Sequence, residues 1–305
     1  MTAFLAKRLI WLIVTLFVVI TFVFVAIRAT GDPTLAYLPI GFTPEQHAAM
    51  QKELGVDQPV IEQYGQYLGR AVTGDFGQSN MYHVNAVHLT LTKLAATAKL
   101  AAIAFLFALV VAVPLGVVAG TRPGSRVDFG VRLLATTGQA APSFVIALVL
   151  VWAVAIKVHW LPVSGNEGWK SYVLPVLSMS WYSIAALTRI TRSAVISVSH
   201  EDYIRTANAK GLSAYTVTTR HLLRNALVPI VTMMGLTWPV FLGGTVIIEV
   251  IFAWPGIGQL LLQAATNRDY AVVEAVTVVF AAIFIATNIV TDAALILIDP
   301  RIRPQ

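Results

Sequence analysis

Six stretches of this 305-residue chain that contain no Asp, Glu, Lys or Arg read as spans: 9–27, 100–121, 133–156, 171–188, 225–248 and 275–291, with lengths of 19, 22, 24, 18, 24 and 17 residues. A helix needs about 20 mostly apolar residues to cross ~30 Å of hydrocarbon. Lipid offers no partner to a free backbone N–H, so a crossing segment must satisfy itself as a helix or close into a barrel. Runs of this length exceed a barrel strand, and the chain reads as an all-α polytopic membrane protein with six transmembrane helices. Charged residues make up 12% of the chain, about half the soluble norm of ~25%, which excludes an ordinary soluble domain.

Orientation follows from Lys and Arg, which collect at the cytoplasmic ends of spans. With both termini inside (N-in/C-in), the cytoplasmic set is Lys7, Arg8, Arg122, Arg126, Arg132, Arg189, Arg192, Arg205, Lys210, Arg220, Arg224, Arg301 and Arg303, thirteen of the 21 basic residues. That placement accounts for the net charge of +6. No basic patch with interleaved aromatics accompanies it, so nucleic-acid binding is not expected. Lys7 and Arg8 precede an apolar run that is too long for a signal-peptide core of about 7–15 residues, and an uncleaved first span is expected. The organisation expected is 1–28 for the N-terminus and first span, 29–94 for an outer helical segment, and 95–305 for a five-span core with a cytoplasmic loop at 189–224.

Two polar segments carry helix punctuation. In the outer one, Thr43-Pro44-Glu45-Gln46 offers an N-cap, a proline at the first helical position and a capping-box Gln, with Gly55 as a stop. A second outer helix is expected from Pro59, with Ile61, Tyr64 and Leu68 on one face. In the cytoplasmic loop, residues 203–212 predict a short helix stopped by Gly211 in the left-handed conformation. Tyr203, Ile204 and Leu212 supply apolar anchors there, and Ala207, Ala209 and Gly211 allow close approach. Two readings stand for this helix: docking in a partner's groove, or lying on the headgroups.

Several chemistries have no carrier in the sequence. There is no Gly-x-x-x-x-Gly-Lys-Ser/Thr phosphate loop, so the chain has no P-loop of its own. His200-Glu201 lacks the second His of a zinc-protease helix. The six histidines are scattered and cysteine is absent, so no metal centre, disulfide or thiol chemistry is expected. The acids Glu249, Glu274 and Asp292 fall at the ends of uncharged runs rather than at mid-depth, which gives little support to a proton-coupled carrier.

A resemblance then emerges from stretches distributed along the chain. They are Leu54-Gly55-Val56-Asp57-Gln58-Pro59, Gly74-Asp75-Phe76-Gly77-Gln78-Ser79, Pro142-Ser143-Phe144 and Leu161-Pro162-Val163-Ser164-Gly165. Further along stand Asp202-Tyr203-Ile204-Arg205-Thr206-Ala207, Ala209-Lys210-Gly211-Leu212 and Arg224-Asn225-Ala226-Leu227-Val228-Pro229. Glu249 with Phe252, Trp254-Pro255-Gly256-Ile257-Gly258, Arg268-Asp269-Tyr270 and Asp299-Pro300-Arg301-Ile302-Arg303 complete the set. In this order they resemble the first (B-type) permease subunit of bacterial dipeptide and oligopeptide ABC importers. The chain differs at Arg205-Thr206-Ala207 from the general ABC coupling motif, which has Glu-Ala-Ala there, a difference that the peptide-permease branch shares. It departs from the branch's own pattern at Ala95 and Lys99, where Pro and Glu are usual, and at Ala271, where Pro is common.

The resemblance implies a type I ABC-importer permease fold in a bacterial inner membrane and a non-enzymatic role. ATP and Mg would be bound by two cytoplasmic ATPase subunits, with no cofactor in this chain. The implied partners are a second permease, those ATPases, an extracytoplasmic substrate-binding protein, the peptide substrate and membrane lipid. Tyr203, Ile204, Arg205, Thr206, Ala207, Lys210, Gly211 and Leu212 become the expected coupling residues. Gln139, Ser143, Trp181, Tyr182, Trp238 and Asn288, polar or amphipathic residues inside the runs, are the expected pathway residues, with interhelical hydrogen bonding as the alternative use. Asp57, Asp75, Trp254, Pro255, Gly256, Arg268 and Asp269 are expected at an outer docking surface, and 255–266 as a short outer helix. Nickel, glutathione or another small solute on the same scaffold, an ATP-independent carrier or channel, and an intramembrane hydrolase remain as alternatives.

Overall fold

The computed structural model describes residues 2–29, 31–38, 41–53 and 55–298. The helices are α1 (Thr2–Ala29), α2 (Pro44–Glu53), α3 (Val60–Thr73), α4 (Ala86–Thr121), α5 (Arg126–Ala140), α6 (Ser143–Leu150), α7 (Lys170–Ser199), α8 (Asp202–Ala209), α9 (Ala214–Thr216), α10 (Leu223–Ile251), α11 (Ile257–Thr266) and α12 (Tyr270–Ile298). A 3₁₀ turn occupies Pro33–Ala36, and π-helical stretches at Val151–Lys157 and Val217–Leu222 extend α6 and precede α10. Among the described residues there is no strand.

Among the described residues, four helices are long and apolar enough to span a membrane: Ile10–Ala29, Ala86–Thr121, Lys170–Ser199 and Tyr270–Ala293. Two bent pairs bring the total to as many as six where each pair is one span: Arg126–Ala140 with Ser143–Lys157 at 101° and Ala214–Trp238 with Phe241–Ile251 at 51°. The third uncharged run, 133–156, is therefore not one straight rod. Pro142 has no N–H to continue α5 and forces the preceding residue out of the helical region. Ala141 is accordingly extended at φ −95°, ψ 119°, and Pro142 caps α6 at φ −59°, ψ 143°. Helix α7 also runs farther than expected, so residues 189–199 belong to it and not to a loop.

Two compact units divide the chain. The first joins Met1–Thr97 with Pro255–Ala286, and the second joins Ala98–Trp254 with Thr287–Gln305.

In the first unit, α3 packs on α1 through aromatics. The Phe24 ring lies 5.1 Å from Tyr64 and 5.4 Å from Tyr67, and the Thr21 hydroxyl meets the Tyr64 hydroxyl at 2.6 Å. Arg28 sits 3.9 Å over the Phe24 ring and donates to the Gln63 side-chain oxygen. The buried face of α3 is therefore Gln63 and Tyr67, while Ile61 is 77% exposed. The expected face of Ile61, Tyr64 and Leu68 is thus split, with Tyr64 packed on Phe24 and Ile61, in the first turn, left exposed. Helix α2 starts with the expected reciprocal box: Thr43 N–H donates to Gln46 Oε1 at 2.9 Å, and Gln46 N–H to Thr43 Oγ1 at 3.3 Å. A clasp holds α2 to the 3₁₀ turn, with the Asp32 carboxylate taking Thr34 N–H at 2.9 Å, His47 Nε2 at 2.8 Å and Gln51 Nε2 at 3.0 Å. Burial raises the Asp32 pKa, but the hydrogen bonds from Thr34, His47 and Gln51 outweigh it and bring it down to about 2.

The second unit is built on small residues. Helix α4 carries Gly116-x-x-x-Gly120 against α7: a Cβ on Gly116 would lie 2.8 Å from the Thr188 carbonyl oxygen, and one on Gly120 2.6 Å from Val195 Cγ1. Such a motif lets two helix backbones approach where lipid supplies no hydrophobic drive. The buried Ser180 hydroxyl donates across the seam to the Ala104 carbonyl at 2.8 Å. Farther along, Phe105 packs edge-on against Trp238 and Phe241 at 5.0 and 5.5 Å.

Candidate functional site

Helix α8 follows α7 after two residues and presents an amphipathic face. Its inner side, Ile204 and Ala207, is 3% and 5% exposed and joins Val195, Val217, Leu222, Ala226 and Ile230 in one apolar cluster. Burial there gives α8 a firm seat, since neither residue is free to anchor a partner. The outer side offers Tyr203, Arg205, Thr206, Lys210, Gly211 and Leu212, all exposed. Burial and the Glu201 carboxylate raise the Tyr203 pKa, so it presents a neutral phenol.

The exit from α8 is a Schellman turn. Gly211 N–H donates to Asn208 O at 3.0 Å and Leu212 N–H to Ala207 O at 3.4 Å, with Gly211 at φ 75°. A residue with a Cβ pays a steric cost at this φ, yet nothing lies within 4 Å of a Cβ built on Gly211. The glycine is thus demanded by backbone angle, and its outward surface is open.

The expected pathway residues separate into two groups. Gln139, Ser143 and Tyr182 come together at a cavity of about 380 Å³, at the 101° corner between α5 and α6. Met179, Ser183, Phe241 and Gly244 complete its walls along with the corner residues Ala140, Ala141 and Pro142. Among the described residues, no charged side chain lines it. The amide nitrogen of Gln139 and the indole nitrogen of Trp181 are buried without hydrogen-bond partners. Trp238 packs on Phe105 instead, and neither Trp238 nor Asn288 lines the cavity. Ser183 was not singled out from the sequence, although its spacing of one residue from Tyr182 and four from Met179 would have placed Met179 and Ser183 on one helix face.

The outer docking set divides by burial. Asp57, Asp75 and Arg268 are exposed. Trp254 is completely buried and stacks edge-on with Tyr172 at 4.6 Å, and Gly256 is buried beside it in sequence. Asp269 is 1% exposed, accepting from the Ser79 hydroxyl and from Met81 N–H at 3.3 Å. Trp254, Gly256 and Asp269 therefore offer no surface to a docking protein; they hold the backbone that presents their exposed neighbours. Helix α11 forms within the expected 255–266. Glu249, expected at the end of its uncharged run, stands in the last turn of α10 and is wholly buried there. Leu54 and residues 299–303, which carried part of the sequence resemblance, lie outside the described residues.

One feature of this region had no sequence signal. Asp128, in the first turn of α5, is fully buried and accepts from Arg192 of α7 through Nε and through Nη2, the latter at 3.0 Å. In the sequence Asp128 is one more charge among basic neighbours, and the pairing spans 64 residues.

Comparison with known proteins gives a consistent outcome. The model for a binding-protein-dependent transport system inner membrane component matches residues 112–304, and that for the N-terminal part of such a membrane component matches residues 1–114. The oligopeptide transport system permease AppB of Bacillus subtilis (strain 168) is 34% identical, covering 99% of this chain and 100% of that protein. The glutathione transport system permease GsiC of Escherichia coli (strain K12) is 35% identical with 99% of each chain covered. Among solved structures, an amino acid ABC transporter gives a TM-score of 0.54 at 16% identity over 70% of this chain and 94% of that one. The MetNI methionine ABC transporter gives 0.52 at 18% identity, covering 67% and 95%. At those identities the two structures speak for the fold alone.

Proposed function

The chain belongs to the binding-protein-dependent transport system inner membrane component family, and from that premise we propose that it forms half of the translocation pathway of an ATP-driven importer for di- and oligopeptides. The type I permease fold and membrane location come with the family. The carrying observation is the match over 99% of the chain to a permease named for oligopeptide transport. Glutathione is itself a small peptide derivative, and the equally long match to a glutathione permease supports it as a second substrate reading.

In this reading the free energy enters from outside the chain. ATP and Mg are bound by two cytoplasmic ATPase subunits, and the exposed face of α8, with Tyr203, Arg205, Thr206, Lys210, Gly211 and Leu212, seats in a groove on one of them. Ile204 and Ala207 act from beneath by fixing α8 to its own bundle. Closure of the ATPase pair then moves the bundle between inward-open and outward-open states; reversing such an equilibrium from 1:99 to 99:1 takes about 5.5 kcal/mol of differential binding. The second wall of the pathway is a second permease. On this chain the cavity with Gln139, Ser143 and Tyr182 meets the peptide. Its uncharged lining suits backbone amides of varied sequence and leaves discrimination to an extracytoplasmic binding protein, for which Asp57, Asp75 and Arg268 are exposed outer contacts.

The test is purification of the tagged chain from its native membrane. Co-purification of a second six-span permease and an ABC ATPase is expected, and a Gly211→Trp variant should retain the permease while losing the ATPase. A chain that purifies alone, or a variant that keeps its ATPase, contradicts the reading.

A further inference from the structure

Helix α5 carries Gln139 to the cavity, and it is attached to α7 at both ends. At its end, Gly138 lies so close to α7 that a Cβ would sit 2.6 Å from the Ala185 methyl. At its start, the buried Asp128 carboxylate takes the Arg192 fork, the Gly124 N–H at 2.9 Å and, at 3.6 Å, Arg132. Arg192 lies seven residues before the end of α7, about two turns. Helix α8 is seated on the same stretch, through the cluster that contains Val195, Ile204 and Ala207.

We propose that the Asp128–Arg192 pair is a positioning strut: it makes α5 follow α7, so that a displacement delivered to α8 reaches the broken α5–α6 corner where Gln139 and Ser143 line the cavity. A buried ion pair is a poor source of stability, and apolar replacements often match or exceed it. Glycine and alanine already close the far end of this seam, where contact without a side-chain fork leaves α5 free to pivot. The bidentate fork removes that freedom, because two parallel bonds fix rotation as well as distance. Asp128 and Arg192 touch neither cavity nor partner surface, so they act through other residues.

The inference rests on the coupling reading above, and the experiment separates the two. The full complex, in nanodiscs and in liposomes, is prepared as wild type, Asp128→Asn, Arg192→Gln, the double variant and Arg192→Lys. Solute imported per ATP hydrolysed is measured, together with the melting temperature. The strut predicts a drop of tenfold or more in that ratio for each single variant, no further drop in the double variant, and a smaller drop for Arg192→Lys, which keeps the charge but loses the fork. The absence of cysteine allows paired spin labels at Thr136 and Ser193; their separation should stay fixed on ATP binding in the wild type and broaden in Asp128→Asn. Should Asp128→Asn fail to assemble, Arg192→Lys and the wild-type spin-label distance decide. An unchanged ratio in assembled variants, or a wild-type separation that shifts with ATP, overturns the strut alone. A wild-type complex without ATP-driven import overturns both inferences.

Discussion

The two units of this chain hold themselves together by partly different means. The first is joined by large side chains with specific polar ends: Phe24 between Tyr64 and Tyr67, Arg28 on Gln63, Ser79 on Asp269. The second adds, beside its aromatic and ionic contacts, glycines at 116, 120 and 138 that let helix backbones touch. Solvent bears on the contrast where α3, outside the charge-free runs, packs on the span α1. A segment in water gains by burying aromatic area, whereas helices in lipid gain little from apolar burial and associate through close packing and interhelical hydrogen bonds.

The contrast breaks most visibly at Gly116. Gly116→Leu drives atoms into the Thr188 carbonyl and the Thr191 side chain; overpacking usually costs ~1–3 kcal/mol, and more where backbone must move. Loss of a monodisperse peak in detergent chromatography is expected, while the same substitution at Gly65, where nothing lies within 4 Å, should leave the peak intact. In the first unit, Asp269→Ala removes the acceptor of the buried Ser79 hydroxyl and of Met81 N–H and should lower stability by about 1–3 kcal/mol, read as a fall in melting temperature. Thr43→Ala removes one arm of the capping box, a loss of ~1 kcal/mol that should appear as faster hydrogen exchange confined to α2.

The smallest effect concerns acid. The carboxyl of Asp32 is held at about 2, below its unfolded value. Its clasp therefore contributes fully above about pH 4 and is lost as pH falls through the folded value. Because the side chain is 24% exposed, screening limits the contribution to under ~1 kcal/mol. Pepsin cleavage within α2 should rise between about pH 4 and pH 2 and be pH-independent in Asp32→Asn, apart from the protease's own profile measured on a control loop.

Sequence pattern revealed what depends on local chemistry. The spans follow from charge-free runs, the α2 box from Thr43 and Gln46, and the end of α8 from Gly211. It failed where distant partners decide. Ile61 is exposed although Tyr64, expected on the same face, packs on Phe24, and Trp254 and Asp269 look like surface motifs but are buried against Tyr172 and Ser79 in their respective units. The 101° corner was written at Pro142, yet counting charges treats a proline-broken run and a straight one alike. Gln139, Ser143 and Tyr182 converge because of that corner, which neighbouring positions on separate helices could not disclose.

The central claim, that this chain is a permease of a peptide importer, is tested most directly by uptake of a labelled dipeptide into liposomes carrying the complete complex and its binding protein. Accumulation that requires ATP, ceases without the binding protein and is lost in Gly211→Trp is the expected result. Uptake that proceeds without ATP, or a complex that hydrolyses ATP and carries neither dipeptide nor longer peptides nor glutathione, would contradict it.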